Sequence, residues 1–146
     1  MNDKATNISP KIGEIYLIDF GGTGSEQLGR RPGLIFQNNT GNNHSPNVIA
    51  LPLTSSIKKL RQPTHVLLSA VETGLLKDSV VLCENPERIA KQRIGRYITT
   101  LSRRDMGRVA EAYLLSASAI SFLDQDTLLR VWATASKLNA TNAESA

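Results

Sequence analysis

The sequence predicts a β-rich α+β domain in which an antiparallel, barrel-like sheet is followed by C-terminal helices. Short apolar runs separated by clusters of Gly, Pro and Asn fill roughly the first hundred residues, which is the pattern of strands and turns. Beyond Ser102 the apolar residues recur with the 3.6-residue period of a helix. With no internal repeat and no linker in the chain, we expect one domain over residues 1–146.

Six strands are expected from the apolar runs and the turn signals between them. They are Gly13 to Phe20, Pro32 to Asn38, Asn47 to Thr54, Thr64 to Leu68, Ser79 to Cys83 and Ile94 to Leu101. In the first strand, Ile15, Leu17 and Phe20 are expected to face the core. The asparagine-rich stretch Asn38 to Asn43 predicts a turn, and Pro52 predicts an edge or a bulge near the end of the third strand.

Two helices are expected after the strands. Ser102 is a predicted N-cap with Asp105 as its capping-box partner, and the apolar face of this helix is Met106, Val109, Ala110, Tyr113 and Leu114. A further helix is expected from Asp124 or Asp126 to about Lys137, with Leu128, Leu129, Val131 and Trp132 as its apolar residues. Residues 1–12 are expected to be a flexible lead-in and residues 139–146 a polar tail.

The charge, hydropathy and cysteine content of the chain limit the kinds of function it can have. A net charge of +4 and a sequence pI near 9.5 favour a polyanionic partner. No window approaches the ~18 apolar residues of a membrane span, and the start of the chain lacks the apolar core of a signal peptide. The single cysteine, Cys83, excludes an intramolecular disulfide and fits a reducing cytoplasm. Because Cys83 lies in an apolar run, we expect it to be a buried packing residue.

No cofactor or metal motif is present. The sequence contains no Cys-x-x-Cys, no His-Glu-x-x-His and no phosphate-binding loop, and its glycines do not follow the dinucleotide-binding spacing. The two histidines, His44 and His65, have no metal-ligand partner at a diagnostic spacing. We therefore expect neither a metal nor a cofactor.

The polar stretch from Gly24 to Gly33 is the strongest candidate for a binding site. Pro32 pushes Arg31 towards extended geometry at the entry to a strand, and a guanidinium held there suits phosphate recognition. An ordinary hairpin loop with solvated arginines fits the composition equally well. Similarly, Thr54 and Ser55 at a strand end point either at a ligand or at the local backbone. Lys58, Lys59 and Arg61 form either an anion site or a solvated loop.

The order of these motifs resembles the MazF/PemK (Kid) family of toxin endoribonucleases. The resemblance covers about residues 12–118 and leaves 119–138 as an extra C-terminal helix. The motifs that carry it are Gly13 to Asp19, Gly24-Ser25-Glu26-Gln27, Arg31-Pro32, Gln37 to Asn42, Ser45-Pro46, Leu53-Thr54-Ser55 with Ile57-Lys58-Lys59, Pro63 to Val66, Asp78 to Val81, Lys91 to Gly95 and Leu101-Ser102.

The resemblance implies a small SH3-like antiparallel barrel of the CcdB/PemK type that works as a homodimer. It also implies the toxin of a type II toxin–antitoxin system, a cytoplasmic protein neutralised by a cognate antitoxin. Such toxins cleave single-stranded RNA, mRNA above all, at specific sequences without a metal. Cleavage leaves 2′,3′-cyclic phosphate and 5′-hydroxyl ends and inhibits translation and growth.

Carried over residue by residue, the family's catalytic arginine and threonine fall on Arg31 and Thr54. Ser25 and Glu26 fall in the substrate-contacting loop, and Asn85 falls on a base-contacting position that is often Gln. The remaining residues that the resemblance places at the RNA are Gln27, Phe20, Ser55 and Lys58.

Three departures from the family pattern affect the site. The loop from Asp19 to Ser25 is one residue shorter and has Gly21-Gly22 where a proline is frequent. The usual Arg-Thr-Ile is here Glu87-Arg88-Ile89, which displaces the arginine by one and turns it to the other face of a strand. The motif from Cys83 to Pro86 is similar to the Kid/PemK branch, but Leu82 occupies the position of that branch's arginine, so no second catalytic arginine is assigned. The general base stays open, with Glu84 a candidate if the fold brings it close.

Two other functions remain open on these residues. One is a toxin of the same fold that binds a protein such as DNA gyrase, as CcdB does; the combination of Gly24 to Gln27 with Arg31-Pro32 counts against it. The other is a catalytically silent homologue that binds only RNA or antitoxin. Arg31 and Thr54 argue against the silent homologue, whereas the altered Glu87-Arg88 pair keeps it open.

Overall fold

The computed structural model describes residues 9–21, 29–56 and 62–144. Seven antiparallel strands form one sheet in the order β4-β5-β3-β2-β1-β7, and β6 pairs with β3 beside β5. The strands are β1 (Glu14–Asp19), β2 (Arg30–Ile35), β3 (Asn47–Thr54), β4 (His65–Leu68), β5 (Ser79–Leu82), β6 (Glu87–Ala90) and β7 (Ile94–Thr100). The prediction of a β-rich α+β fold with C-terminal helices is confirmed. Within the described ranges, however, no pairing joins β4 to β7, so the expected barrel is an open, curled sheet.

Helices flank the sheet and follow it. They are α1 (Asn39–His44), α2 (Ala70–Thr73), α3 (Arg103–Ala117) and α4 (Gln125–Glu144), with short 3₁₀ turns at Lys91–Arg93 and Ala119–Phe122. None of the helices in the described ranges is long and apolar enough to cross a membrane.

The asparagine-rich stretch is a helical turn, where a turn without helix was predicted. The Asn38 side chain caps α1 by accepting a 2.9 Å hydrogen bond from the Gly41 backbone N–H. The buried Asn42 side chain donates to the Gln37 carbonyl at 2.8 Å. Asparagine therefore acts here as a helix cap and as a buried crosslink, which its turn propensity did not indicate.

The central strands bury both of their faces, which is why strict alternation was a poor guide to the core. One cluster, which includes Ile15, Leu34, Leu51 and Leu53, packs under Val109 and Ala112 of α3. The second cluster lies on the opposite face and consists of Tyr16, Ile18, Phe20, Ile35, Val48, Ala50, Ile89 and Ile94. Of the residues expected to face inward in the first strand, Ile15 and Phe20 are buried, whereas Leu17 is only half-buried.

Pro52 lies where β3 changes partners. On one side β3 pairs with β2 throughout Ala50 to Pro52. On the other side it pairs with β6 up to Ala50 and with β5 from Leu53. Proline cannot donate to a ladder, so its position at this gap fits the irregularity expected near the end of the strand.

The two long helices differ in how they pack. Ser102 caps α3 by accepting a 3.1 Å bond from the Asp105 N–H, as predicted, although the Asp105 carboxylate bonds to Arg108 rather than returning to the cap. Helix α4 continues past the expected end at Lys137 into the predicted tail. Its C-terminal part contacts α1, where the Asn39 N–H donates to Asn139 Oδ1 at 3.1 Å.

The apolar residues of the C-terminal region are less buried than their spacing suggested. Leu114 of α3 is exposed. Of the four apolar residues expected in α4, Leu128 is half-buried, whereas Leu129, Val131 and Trp132 are exposed. Helix α4 touches the rest of the described chain chiefly through α1, so most of its apolar surface faces outward.

Candidate active site

A groove of about 590 Å³ runs across the start of β2, the end of β3, the loop after α2, and β7. Cationic and hydroxyl side chains line one part of it and apolar side chains the other. The lining residues are Leu17, Arg30, Arg31, Pro32, Leu53, Thr54, Ser55, Ser56, Gly74, Leu75, Leu76, Lys77, Ser79, Arg96 and Ile98. Such a surface fits a ligand that combines anionic groups with flat apolar ones.

The fold brings Arg31 and Thr54 together. Strands β2 and β3 are antiparallel with Gly33 opposite Pro52, and the same register carried two residues further sets Arg31 across from Thr54. Arg31 is half-buried, and Pro32 holds it in the strand, as the sequence predicted. A planar fork of donors and a hydroxyl therefore belong to neighbouring strands that line one groove.

Thr54 bonds to the local backbone, which is one of the two possibilities that the sequence left open for it. Its Oγ1 accepts a 3.2 Å hydrogen bond from the Ser56 N–H. This bond fixes the rotamer of Thr54, and a hydroxyl that accepts one hydrogen bond can still donate another to a ligand. Ser55 follows as an exposed residue on the rim of the groove.

Phe20 belongs to the second core cluster and is 5% exposed. Its ring lies over Gly33, where an added Cβ would stand 2.7 Å from Phe20 Cζ and equally close to Ile18 Cδ1. Glycine at position 33 thus lets the ring pack against β2 two residues from Arg31. In this position Phe20 supports the strand that carries the arginine.

Four residues that the family resemblance places at the RNA lie outside the described ranges. They are Ser25, Glu26, Gln27 and Lys58. The neighbouring basic residues Lys59 and Arg61 also lie outside them.

Asn85 and Glu84 lie in the turn after β5. Asn85 is exposed, and its backbone N–H donates to the Leu82 carbonyl at 3.1 Å, which closes the turn. Glu84 Oε1 lies 2.7 Å from His65 Nε2 on the neighbouring strand β4. His65, which the sequence left without a role, therefore has Glu84 as its partner.

The side chains of Glu87 and Arg88 lie on opposite faces of strand β6. Glu87 pairs with Ala50 and is half-buried, whereas Arg88 pairs with Ile49 and is exposed. The displaced arginine thus faces away from the second core cluster, as expected from the sequence. Burial raises the pKa of the Glu87 carboxyl, and the nearby positive charge of Arg31 opposes that rise.

Two cations of the groove were missed by sequence reasoning. Lys77 lies in the turn before β5 and Arg96 in β7, and both are exposed. Neither belongs to a motif. Arg96 comes to the groove on β7, which pairs with β1 through long-range contacts that no local pattern reveals.

Within the part of the chain that the structure describes, no three His, Cys, Asp or Glu side chains gather in a way that could hold a metal ion. The charged side chains that line the groove are arginine and lysine, which are not metal ligands.

Comparison with known proteins identifies the class. Residues 11–116 match the family model described as "PemK-like, MazF-like toxin of type II toxin-antitoxin system". Endoribonuclease EndoA of Bacillus subtilis (strain 168) is 42% identical over 113 residues, which are 77% of this chain and 97% of that protein. The chain belongs to the PemK/MazF-like toxin family, and with it the expectation of an endoribonuclease toxin is confirmed.

Solved structures agree with this assignment. A mycobacterial endoribonuclease in complex with its cognate antitoxin superimposes with a TM-score of 0.65 at 26% identity, covering 75% of this chain and 96% of that one. The Mycobacterium tuberculosis toxin MazF-mt6 superimposes with a TM-score of 0.60 at 28% identity, covering 72% and 96%. In both cases the similarity covers nearly the whole of the smaller protein.

Proposed function

We propose that this protein is the toxin of a type II toxin–antitoxin pair and cleaves single-stranded RNA at specific sequences, with Arg31 and Thr54 as its catalytic residues. The observation that carries the proposal is that Arg31 and Thr54 line the same cation-lined groove, each two residues beyond the Gly33–Pro52 pair of β2 and β3. Family membership and the relative named an endoribonuclease support it.

The 2′-hydroxyl 5′ of the scissile phosphate attacks the phosphorus and gives its proton to water. The bond from phosphorus to the 5′ oxygen breaks, and the leaving 5′ oxygen takes a proton from water. Arg31 donates two hydrogen bonds to the phosphate oxygens and stabilises the charge that develops there. Thr54 donates to a phosphate oxygen or holds the 2′-hydroxyl. The products are a 2′,3′-cyclic phosphate and a 5′-hydroxyl, and no metal takes part.

The other residues assigned to RNA contact extend the site beyond the reacting phosphate. We expect contacts to bases and backbone from Ser25, Glu26, Gln27, Ser55, Lys58 and Asn85. Phe20 supports the strand that carries Arg31. We propose further RNA contacts for Arg30, Lys77 and Arg96, because each lines the groove and carries a positive charge.

Two protein partners complete the proposal. A cognate antitoxin covers the groove, in line with the related endoribonuclease solved in complex with its antitoxin. A second copy of this chain forms a homodimer, in which a groove from each subunit joins into one surface. The extent of exposed apolar side chains on α4 supports burial of part of this chain against another.

The experiment is a cell-free assay in three arms. Purified protein is incubated with RNA, with DNA of the same sequence, and with DNA gyrase, and the 5′ ends of any cut RNA are sequenced. We expect cuts at a recurrent short motif in RNA alone, with ends that carry a 5′-hydroxyl. Intact RNA together with inhibited gyrase would replace this proposal with the protein-target alternative.

A further inference from the structure

We propose that Glu87 is a positioning residue of the cleavage reaction, whose carboxylate orients the guanidinium of Arg31. This inference rests on the proposed function. Three observations lead to it: the face of the sheet that Glu87 shares with Arg31, the burial of one of its carboxylate oxygens, and the positive charge of Arg31 nearby.

The strand register places Glu87 on the face that carries the catalytic pair. Glu87 is opposite Ala50 on β3, and Thr54 shares the face of Ala50 because side chains of a strand alternate. Arg31 shares the face of Gly33, which lies over Phe20 of the same cluster as Ala50. Glu87 does not line the groove, so it acts on the reaction through Arg31.

The carboxylate of Glu87 is poorly solvated. Its Oε2 atom is buried and has no hydrogen-bond partner among the described residues. Leaving a carboxylate oxygen in that state is costly unless a positive charge compensates for it. Burial raises the pKa of the Glu87 carboxyl, and the positive charge of Arg31 opposes that rise.

The charged side chains next to Glu87 in sequence lie on the other face of the strand or are paired elsewhere. Strand β3, to which β6 is paired, contains no titratable side chain from Asn47 to Thr54. Arg88 lies on the opposite face of β6. Glu84, in the turn before β6, is paired with His65. Burial raises the pKa of Glu87, so protonation would remove its charge at a higher pH than for an ordinary glutamate.

Glu87 is a negatively charged residue at a position where the family pattern has an arginine. An arginine in place of Glu87 would put a second positive charge near Arg31, whereas a carboxylate attracts and aligns the guanidinium. A group kept in the fold at a cost to stability is typical of a functional role. Glu87→Gln keeps the shape of the side chain and removes the charge, so we expect a protein that is at least as stable as the wild type but slower.

The test measures the steady-state kinetics with which the wild type, Glu87→Gln and Glu87→Asp cleave an RNA that the wild type cuts, at several pH values. Glu111→Gln on the exposed face of α3 is the matched control for loss of one carboxylate. We expect Glu87→Gln to lower kcat by up to about 100-fold, the scale for a reacting group misplaced by about 1 Å, with KM little changed. We expect the acid limb of the wild-type profile to disappear in Glu87→Gln, Glu87→Asp to recover part of the rate, and Glu111→Gln to match the wild type.

Several results would overturn the assignment. A wild-type rate and pH profile in Glu87→Gln would remove Glu87 from the reaction, and a rise in KM at constant kcat would make it a binding residue. A slower variant with an unchanged acid limb and a lower unfolding temperature would show a structural role only. Failure of the proposed function can be told apart from failure of the Glu87 assignment, because in that case the wild type itself cuts no RNA.

Discussion

At the scale of single residues, the proposed mechanism depends most on Arg31. It lies at the end of the groove, opposite Thr54, on a strand stiffened by Pro32. We expect Arg31→Ala to lower kcat by roughly 10²- to 10³-fold, the loss found when one oxyanion donor is removed. Arg31→Lys should fail as well, because a point charge does not replace a planar fork.

The control for Arg31 is its neighbour Arg30, an exposed residue that lines the same groove. Arg30→Ala should weaken RNA binding while leaving kcat near the wild-type value, since adjacent residues of a strand point to opposite faces. Rapid cutting by Arg31→Ala, with circular dichroism showing a folded protein, would exclude Arg31 from the chemistry.

Cys83 gives a second prediction at this scale. Its side chain is fully buried, as expected from its apolar run, and burial raises the pKa of the thiol to about 12. The thiolate is the reactive form, so almost none is present at pH 8. We expect a thiol reagent such as dithionitrobenzoate to label no cysteine in the native protein and one per chain in guanidinium. Fast labelling of the native protein would mean that this part of the core opens readily.

At the scale of elements, β2 is held by close packing. A Cβ at Gly33 would meet Ile18 and Phe20 at 2.7 Å, whereas a Cβ at Gly107 on the exposed side of α3 would meet nothing within 4 Å. Gly33→Ala should lower the free energy of unfolding by ~1–3 kcal/mol through overpacking. Gly107→Ala should raise it by ~0.5–1 kcal/mol through helix propensity. Urea unfolding of both variants measures the difference, and equal midpoints would contradict the packing at Gly33.

Elements with strong local signals could be predicted from the sequence. Strand β3 begins at Asn47 and ends at Thr54 as predicted, because an apolar run lies between clear turn signals. Strand β6 was missed because Ile89 is its one buried residue and its partner β3 is distant in sequence. The catalytic pair came from the family resemblance. Lys77 and Arg96 belong to no motif and come to the groove from elements distant in sequence from β2 and β3, so local patterns could not reveal them.

At the scale of the whole molecule, one copy of the chain leaves apolar surface uncovered. Trp132 of α4 is 70% exposed, and the neighbouring Leu129 and Val131 are exposed with it. We expect sedimentation velocity to show a homodimer at micromolar concentration. A stable monomer across the same range would contradict the proposed assembly while leaving the groove of each subunit intact.

The central claim is that the nucleophile comes from the RNA and that Arg31 and Thr54 stabilise its attack. The most direct measurement uses an RNA in which the one nucleotide 5′ of the cut is replaced by its 2′-deoxy form, with excess EDTA present throughout. We expect the unmodified RNA to be cut in EDTA and the deoxy RNA to bind with similar affinity but stay whole. If the deoxy RNA is cut at a similar rate, or if EDTA stops cleavage and magnesium restores it, a different nucleophile attacks the phosphate and the Arg31–Thr54 mechanism is wrong.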